Sequence, residues 1–307
     1  MGRRKGTPTH GWLVLDKPQC MTSTHALNKV KRLFDADKAG HAGTLDPLAT
    51  GVLPIAFGEA TKTIPHVMDS AKEYRFLVRW GIETDTDDAE GDPVRESAER
   101  PAREAIEALL PKFRGSIMQA PPRFSAIKIA GERAYDLARD GEQFDIAPRP
   151  VEITRLEIAA MPTPDTCLFE AECGKGTYVR SLARDVGRLL GCFGHVADLR
   201  RTRVGPLTDA EAISLETLTE LGNSAAGREA LLPVLKPVET ALDGIPALAV
   251  TGADAAELKR GRSIIIRGRD APIHQGLIYA TSRGMLVALG EVERGELRPT
   301  RVFNLPL

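Results

Sequence analysis

The chain is organised around Gly40-His41-Ala42-Gly43-Thr44-Leu45-Asp46-Pro47-Leu48-Ala49-Thr50-Gly51. Glycine permits tight backbone paths and close approach of a ligand, and Pro47 pushes the preceding Asp46 toward an extended conformation. The apolar Leu45 and Leu48 supply anchors to a core. The pattern therefore predicts an ordered loop that presents the Asp46 carboxylate. An ordinary surface turn built from Asp-Pro and glycine stays open as the alternative, and these residues alone do not name a reaction.

Length and composition indicate a soluble globular protein. A chain of 307 residues is long enough for two domains, and 42% hydrophobic with 27% charged residues is ordinary for this class. The basic start MGRRK is not followed by a signal peptide, and no apolar run is long enough to span a membrane. The cysteines form no C-x-x-C pair, so we expect reduced thiols in a cytoplasmic protein and no zinc site. They are Cys20, Cys167, Cys173 and Cys192.

Charge is distributed unevenly although the net charge is only −1. Residues 1–50 hold eight lysines and arginines against four acids, and residues 172–205 hold seven against three. Residues 83–104 hold nine acids against three arginines. Two basic segments that meet in the fold would form a face for a polyanion, whereas scattered charges would only be solvated. The acidic run 83–92 does not fit a calcium loop, and we interpret it as a solvated connection.

Hydrophobic periodicity predicts alternating strands and helices over the first 245 residues. The predicted strands are 12–15, 72–80, 151–158, 167–173 and 195–204. The first predicted helix begins after candidate N-cap residues at 22–24 and ends at residue 34, and the later helices are 59–68, 102–110, 134–139, 177–190 and 208–221. Residues 121–128 read as an extended element. After a boundary near 245, a helix at 254–260 and strands near 263–266, 276–280, 285–289 and 298–302 predict a small barrel or sandwich.

Two elements carry polar groups that stand out. Tyr74 shares a strand face with Phe76, Val78 and Trp80, so it is either a core residue or a stacking surface at the end of an apolar row. The helix 177–190 places arginines at positions 180, 184 and 188, four residues apart. The three like charges repel one another modestly, which favours an anionic partner, either buried carboxylates or phosphates. A solvated basic face of the helix is the alternative.

Six motifs follow one another along the chain: Leu13–Pro18, Gly40–Gly51, Thr84–Asp88, Pro121–Ala126, Gly174–Leu182 and His195–Arg201. In this order they resemble the TruB family of tRNA pseudouridine synthases, isomerases that act on the T-loop uridine at position 55 of tRNA. The resemblance spans nearly the whole chain. It implies an α+β pseudouridine-synthase fold at 1–245, with a mixed, mainly antiparallel central sheet flanked by helices, and a small β-rich PUA-like RNA-binding domain at 246–307.

The resemblance also implies roles for individual residues. Asp46 matches the catalytic aspartate, Arg180 the partner of its carboxylate, and Tyr74 the ring that stacks on the target uracil. Residues matched to contacts with the flipped nucleotide or the RNA loop are His41, Tyr178 and Leu199. Lys17 and Pro18 match a motif that braces the site. Residues that would follow the RNA backbone are Arg184, Arg200, Arg201 and Arg203.

The chemistry implied by this family explains why one acid suffices. A carboxylate serves as nucleophile and as proton acceptor, a neighbouring guanidinium favours its ionised form, and the uridine must leave its stack to be reached. Attack on uracil C6, addition to C1′ and a glycal route all stay open. We expect no cofactor and no metal, a monomer, and the T-arm of tRNA as partner. The alternatives are a tRNA-binding or folding chaperone without catalysis, and a metal-dependent hydrolase that uses His41 and Asp46.

Two positions depart from the family pattern. Phe124 stands where the family often has tyrosine, which puts a hydroxyl contact in doubt. Cys20 stands in a turn often held by glycine, which concerns local geometry. Neither affects the aspartate.

Overall fold

The computed structural model describes residues 6–125, 127–129, 132–139, 142, 144–266 and 275–305. Ala126 of the fourth motif, and the basic residues at positions 3–5 counted above, lie outside the described residues. Within these ranges no helix is both long and apolar enough to cross a bilayer.

The strands fall into two groups along the chain. Those before residue 245 are β1 (Gly11–Lys17), β2 (Ala39–His41), β3 (Thr50–Phe57), β4 (Lys72–Trp80), β5 (Ile82–Thr84), β6 (Pro93–Glu96), β7 (Gly115–Gln119), β8 (Lys128–Ile129), β9 (Glu132–Arg133), β10 (Arg149–Thr163), β11 (Thr166–Cys173), β12 (Gly194–Val204), β13 (Leu207–Thr208) and β14 (Ile213–Ser214). Those after it are β15 (Ala247–Ala249), β16 (Ile264–Ile265), β17 (Gly276–Ser282), β18 (Met285–Glu293) and β19 (Glu296–Val302).

Helices occupy the connections. They are α1 (Ser23–Leu33), α2 (Ile64–Asp69), α3 (Arg103–Leu109), α4 (Ala134–Arg139), α5 (Val179–Leu189), α6 (Leu215–Asn223) and α7 (Gly252–Lys259). Single 3-10 segments are Gly58–Thr63, Leu110–Phe113, Asp209–Glu211, Gly227–Val234 and Val238–Leu242. Thr22 caps α1 as expected, because its side chain accepts a hydrogen bond from the His25 N–H.

The central sheet is mixed and mainly antiparallel, which confirms the predicted fold class. Its order is β14-β1-β3-β12-β4-β11-β10-β7, with β13 joined to β12 and β2 joined to β3. Only the β1–β14 and β3–β12 pairings in this sheet are parallel. Strand β12 therefore lies at the middle, between the strand that follows the glycine-rich loop and the strand that carries Tyr74.

Strand β1 shows how the sheet is buried on both faces. Leu13 and Leu15 pack into one core with α1 and α5, whereas Trp12 and Val14 pack into a second core that includes Phe303 near the C-terminus. Successive side chains of a strand point to opposite faces, so a strand covered on both sides reads as a continuous apolar run. The second core joins the C-terminal module to the back of the sheet.

The C-terminal module is a five-stranded sheet in the order β15-β17-β18-β19-β16, with α7 packed against it. Its own core contains Leu258, Ile278 and Val292. The predicted strands and helix of this region are confirmed, and its β-rich character agrees with the predicted fold class. The boundary between residues 245 and 246 stays a prediction.

Two predicted helices differ from the structure. Residues 59–68 form a 3-10 segment followed by α2, and Pro65 lies in the first turn of α2, where its missing N–H costs nothing. Helix α6 begins at Leu215 rather than near 208, because Ile213 first pairs with Leu15 of β1 as a strand and Ser214 then caps the helix.

We expect Gly51→Ala to destabilise the protein more than a glycine substitution whose added Cβ meets no neighbouring atom. Gly51 has φ +96° and pairs with Arg201 across β3 and β12, so an added Cβ would overlap the Arg201 carbonyl oxygen. The left-handed backbone costs about 1–2 kcal/mol for alanine, and the overlap costs about 2 kcal/mol more. The free energy of unfolding in urea measures the loss.

Gly115→Ala is the matched control. Gly115 has φ +81° with nothing within 4 Å of the added carbon, so this variant carries the backbone cost alone. Equal losses for the two variants would contradict the close approach of β3 to β12.

Candidate active site

Arg201 holds the first half of the glycine-rich loop. Its side chain is only 1% exposed, and its guanidinium donates to the carbonyl oxygens of Gly43 at 2.9 Å, Thr44 at 3.4 Å and Val52 at 2.8 Å. A buried arginine is tolerated where its N–H groups find acceptors. Arg201 therefore supports the loop from within the protein, and it also borders the cavity described below.

Ser23 and the loop itself hold the central part. The Ser23 hydroxyl donates to the Leu45 carbonyl at 2.9 Å and accepts from the Leu45 N–H at 2.8 Å. The Asp46 carbonyl accepts from the Ala49 N–H at 3.1 Å. These bonds fix the backbone on both sides of the Asp46 Cα, so the predicted ordered loop is confirmed and the surface-turn alternative is wrong.

Lys17 braces the end of the loop. Its ammonium donates to the carbonyl oxygens of Pro18 at 2.8 Å, Met21 at 2.7 Å and Pro47 at 3.4 Å. Burial lowers the pKa of Lys17 to about 8, and the nearby Asp46 charge opposes that shift. Pro18 itself is exposed. The Lys17-Pro18 pair thus ties the turn after β1 to the loop that carries Asp46.

Cys20 supplies a further tie at the cost of strain. Its N–H donates to the Pro47 carbonyl at 2.9 Å, and its φ of +59° lies in the left-handed region that favours glycine. The departure from the family pattern at this turn therefore concerns backbone conformation, as expected.

A cavity of about 750 Å³ opens beside the loop. Phe124 lines it, together with six of the residues selected from the sequence: Asp46, Tyr74, Tyr178, Arg180, Leu199 and Arg201. A second cavity of about 650 Å³ is lined by Lys17, Pro18 and Arg200 and by none of those six. The first cavity is therefore the candidate active site.

Arg180 faces Asp46 from the first turn of α5. Its Nε lies 3.0 Å from Asp46 Oδ2 and 3.6 Å from Asp88 Oδ2. Its two terminal nitrogens donate to the carbonyl oxygens of Thr86 and Phe124, both at 2.9 Å. The Nε–H makes no aligned hydrogen bond, so its attraction to Asp46 is chiefly one of charge. The Asp46 side chain remains 38% exposed, which leaves it open to a ligand in the cavity.

The acidic segment is not the solvated connection we expected. Arg184 pairs with Asp87 at 2.9 Å, and Arg188 contacts both carboxylate oxygens of Glu83 at 2.8 Å. Glu83 and Asp87 are buried. The prediction is wrong for these buried acids, because they are spaced to meet the arginines of α5, so that the acidic row and the arginine row neutralise each other. The acids at positions 90 and 92 are exposed, as expected. Burial raises the pKa of Asp87 to about 6 although Arg184 opposes it.

The remaining arginines assigned to the RNA backbone are also engaged within the protein. Arg200 pairs with Asp16 at 2.9 Å, and Arg203 pairs with Glu73 at 2.9 Å and with Glu172 at 3.0 Å. Arg184 is nearly inaccessible. The structure therefore does not gather Arg184, Arg200, Arg201 and Arg203 into one free basic face.

Tyr74 is a core residue that also borders the cavity, and its role as a stacking surface stays a prediction. It is nearly buried at the end of the apolar row of β4, where burial raises the pKa of its hydroxyl, and it borders the cavity. Leu199 lies on β12 and is nearly buried. His41 ends β2 outside the cavity wall, with its Nδ1 buried and without a hydrogen-bond partner. Burial and the Arg201 charge lower the pKa of His41.

The sequence pattern did not point to three residues at the site: Asp88 and Lys72, which border the cavity, and Gln119, which lies behind its wall. Asp88 lay within a quoted motif, and its spacing to Asp87 was the available signal. Lys72 borders the cavity and donates to the carbonyl oxygens of Met68 and Ser70, while burial lowers its pKa to about 8. Gln119 lies just before the Pro121 motif and had no signal of its own. Among the described residues, no three His, Cys, Asp or Glu side chains are grouped as metal ligands.

We expect Arg184→Met to destabilise the protein strongly, by about 3 kcal/mol, because it leaves the Asp87 carboxylate buried without its partner. Arg188→Met should cost less, about 1 kcal/mol, because Arg188 is 43% exposed and water can reach the vacated site. Urea unfolding gives both values. Adding Asp87→Asn to Arg184→Met should recover part of the loss; a double variant less stable than the single one would contradict the buried pair.

Comparisons with known proteins agree with this geometry. Residues 31–179 match a family model described as TruB family pseudouridylate synthase (N terminal domain). Residues 180–243 match one described as tRNA pseudouridylate synthase B C-terminal domain.

Full-length relatives extend the match. A protein of Nitrobacter winogradskyi named tRNA pseudouridine synthase B is 62% identical over 304 residues, covering 99% of this chain and 85% of the relative. A protein of Chelativorans sp. with the same name is 56% identical over 312 residues, covering 99% of each. Among solved structures, a chain of a Cbf5-Nop10-Gar1 complex is 27% identical with a TM-score of 0.74, covering 96% of this chain and 85% of that one. The chain belongs to the TruB family of tRNA pseudouridine synthases.

Proposed function

We propose that this protein converts the T-loop uridine at position 55 of tRNA to pseudouridine, with Asp46 as its single catalytic carboxylate. The observation that carries the proposal is the contact between the half-exposed Asp46 carboxylate and the Arg180 guanidinium in the wall of the cavity that Tyr74 also borders. The names of the close relatives support the reaction class.

The cavity supports a mechanism in which the uridine leaves the tRNA stack. A volume of about 750 Å³ accommodates a nucleoside. In this mechanism the uracil stacks on the Tyr74 ring while Asp46 faces the reacting atoms, and Tyr178 and Leu199 border the base. The C1′–N1 bond then breaks, the uracil turns, and C1′ bonds to C5; a base removes the C5 proton and N1 takes up a proton. The product is an isomer of the substrate, so no redox partner is needed.

Preorganisation supports Asp46 as the reacting group. The loop backbone around it is fixed by Arg201, Ser23 and Lys17, and Arg180 is fixed by two backbone carbonyls. A charge held in place before the substrate arrives costs no reorganisation during the reaction. Asp46, Arg180 and Tyr74 of a single chain meet in one cavity, so a monomer as the active species is part of the proposal. The cysteines are all free thiols, which fits a reducing cytoplasm.

We expect Asp46→Asn to form no pseudouridine at the T-loop uridine of an unmodified tRNA transcript under single-turnover conditions. The amide keeps the size of the carboxylate but is neither nucleophile nor base. The tRNA dissociation constant and the free energy of unfolding should stay close to wild type. Turnover by this variant near the wild-type rate would remove Asp46 from the mechanism.

A wild-type protein that binds tRNA but forms no product would favour the chaperone alternative, and loss of product in EDTA would favour the metal-dependent one.

We expect Tyr74→Ala to slow the same single-turnover reaction by about tenfold or more, because base–aromatic stacking contributes about 1–3 kcal/mol. Tyr74→Phe keeps the ring and is the matched control for stacking. Pseudouridine mapping at saturating enzyme measures both rates. If Tyr74→Ala reacted as fast as Tyr74→Phe, the ring would not be a stacking surface.

A further inference from the structure

Gln119 lies at the end of β7, the edge strand of the central sheet, and its side chain is almost completely buried, with 2% exposed. Its amide makes two hydrogen bonds to the backbone of a single residue of the cavity wall, Tyr178. The Gln119 Nε2 donates to the Tyr178 carbonyl at 3.1 Å, and the Tyr178 N–H donates to the Gln119 Oε1 at 2.8 Å. A donor and an acceptor side by side are what a peptide unit of a neighbouring strand would offer.

The next residue continues this connection into α5. The Ala120 carbonyl accepts from the Ser181 hydroxyl at 2.9 Å and from the Arg184 guanidinium at 2.8 Å. Tyr178 is the N-cap residue of α5, and its side chain makes no capping hydrogen bond. The start of this helix is therefore held from outside, by residues 119 and 120. Arg180, whose side chain faces Asp46, lies in that same first turn.

We propose that Gln119 is a positioning residue of the pseudouridine synthase reaction, which extends the sheet edge by one side chain and thereby fixes Tyr178 and the first turn of α5 in the cavity wall. The inference rests on the proposed function, because the reaction rate is its readout. Gln119 does not border the cavity, so it acts on the substrate only through Tyr178 and Arg180.

Only glutamine satisfies both bonds at this position. Asparagine is one methylene shorter and would not reach both backbone groups. An ionised glutamate accepts from the Tyr178 N–H but places a second acceptor against the Tyr178 carbonyl. A protonated glutamate regains a donor, since it carries one O–H and one C=O. The pair Gln119→Ala and Gln119→Glu therefore separates loss of packing from loss of the two-bond contact.

The first experiment compares single-turnover rates on unmodified tRNA transcript at saturating enzyme. We expect Gln119→Ala to lower the rate by about tenfold to hundredfold, because small misplacement of catalytic groups has effects of this size. The tRNA dissociation constant should change by less than about twofold. Thr63→Val is the matched control, because it removes the buried Trp12–Thr63 hydrogen bond, 3.2 Å long, outside the cavity wall. It should lose stability without losing rate.

The second experiment follows the rate of Gln119→Glu, divided by the wild-type rate, from about pH 8 to about pH 5. Burial raises the pKa of an introduced carboxyl, so protonation restores the donor as pH falls, and the ratio should rise. The ratio for Gln119→Ala should stay flat. The charged neighbours are Arg149, paired with Gln119 on β10, and Arg184, both cationic throughout. Burial raises the pKa of Tyr178, which stays neutral. Asp87, beside Arg184, titrates near pH 6 in both proteins, and the ratio removes its effect.

The outcomes separate this inference from the proposed function. A slow Gln119→Ala with unchanged tRNA binding, and a Gln119→Glu ratio that rises toward acid, support the positioning role. A Gln119→Ala rate within about twofold of wild type, or a loss of rate equal to that of Thr63→Val, would overturn it while leaving the proposed function intact. A flat Gln119→Glu ratio would also overturn it. A wild-type protein that forms no pseudouridine would remove both proposals.

Discussion

The buried Arg201 guanidinium is the interaction on which the candidate site depends. From β12, at the middle of the sheet, it donates hydrogen bonds to two backbone carbonyls of the loop before β3 and to one carbonyl of β3 itself. A buried cation without acceptors would be very costly, so the loop must keep its path for the charge to be tolerated. The glycine at position 51 lets β3 approach the Arg201 backbone closely enough for this arrangement. The path of the loop is thus fixed by the hydrogen bonds that the buried Arg201 guanidinium requires, and this path places Asp46 at the cavity.

A second constraint comes from the arginine row of α5. Each of its arginines lies within ion-pair distance of a carboxylate of the segment 83–88. Arg180, which borders the cavity, lies close to two carboxylates, the buried Asp88 and the half-exposed Asp46. Arg180 is also fixed by two carbonyls, so it cannot follow the Asp46 side chain. The positive charge at the site is therefore a fixed feature of the fold, which suits stabilisation of a reacting anion better than a mobile side chain would.

The sequence predicted the elements whose pattern is local. Hydrophobic periodicity and helix capping depend on neighbouring residues, so they could be recognised in the sequence. They located the strand that carries Tyr74, the N-cap at Thr22, the amphipathic α5 and the C-terminal strands. It also selected six residues that line the cavity. It did not predict that Glu83, Asp87 and Asp88 are buried, because their burial depends on the spacing of the arginines on a helix about a hundred residues later. The start of α6 was predicted too early for a similar reason, because Ile213 pairs with the distant strand β1 before the helix begins.

The position of Arg201 in the chain has a consequence for how the protein matures. Its bond to the Gly43 carbonyl joins residues separated by 158 positions, and its bond to Val52 spans 149. Contacts of such long range form late, because the entropy of closing the loop between them must be offset first. On the ribosome the glycine-rich loop leaves the exit tunnel long before its support is synthesised. A nascent chain therefore acquires the geometry of the candidate site only once β12 has been synthesised.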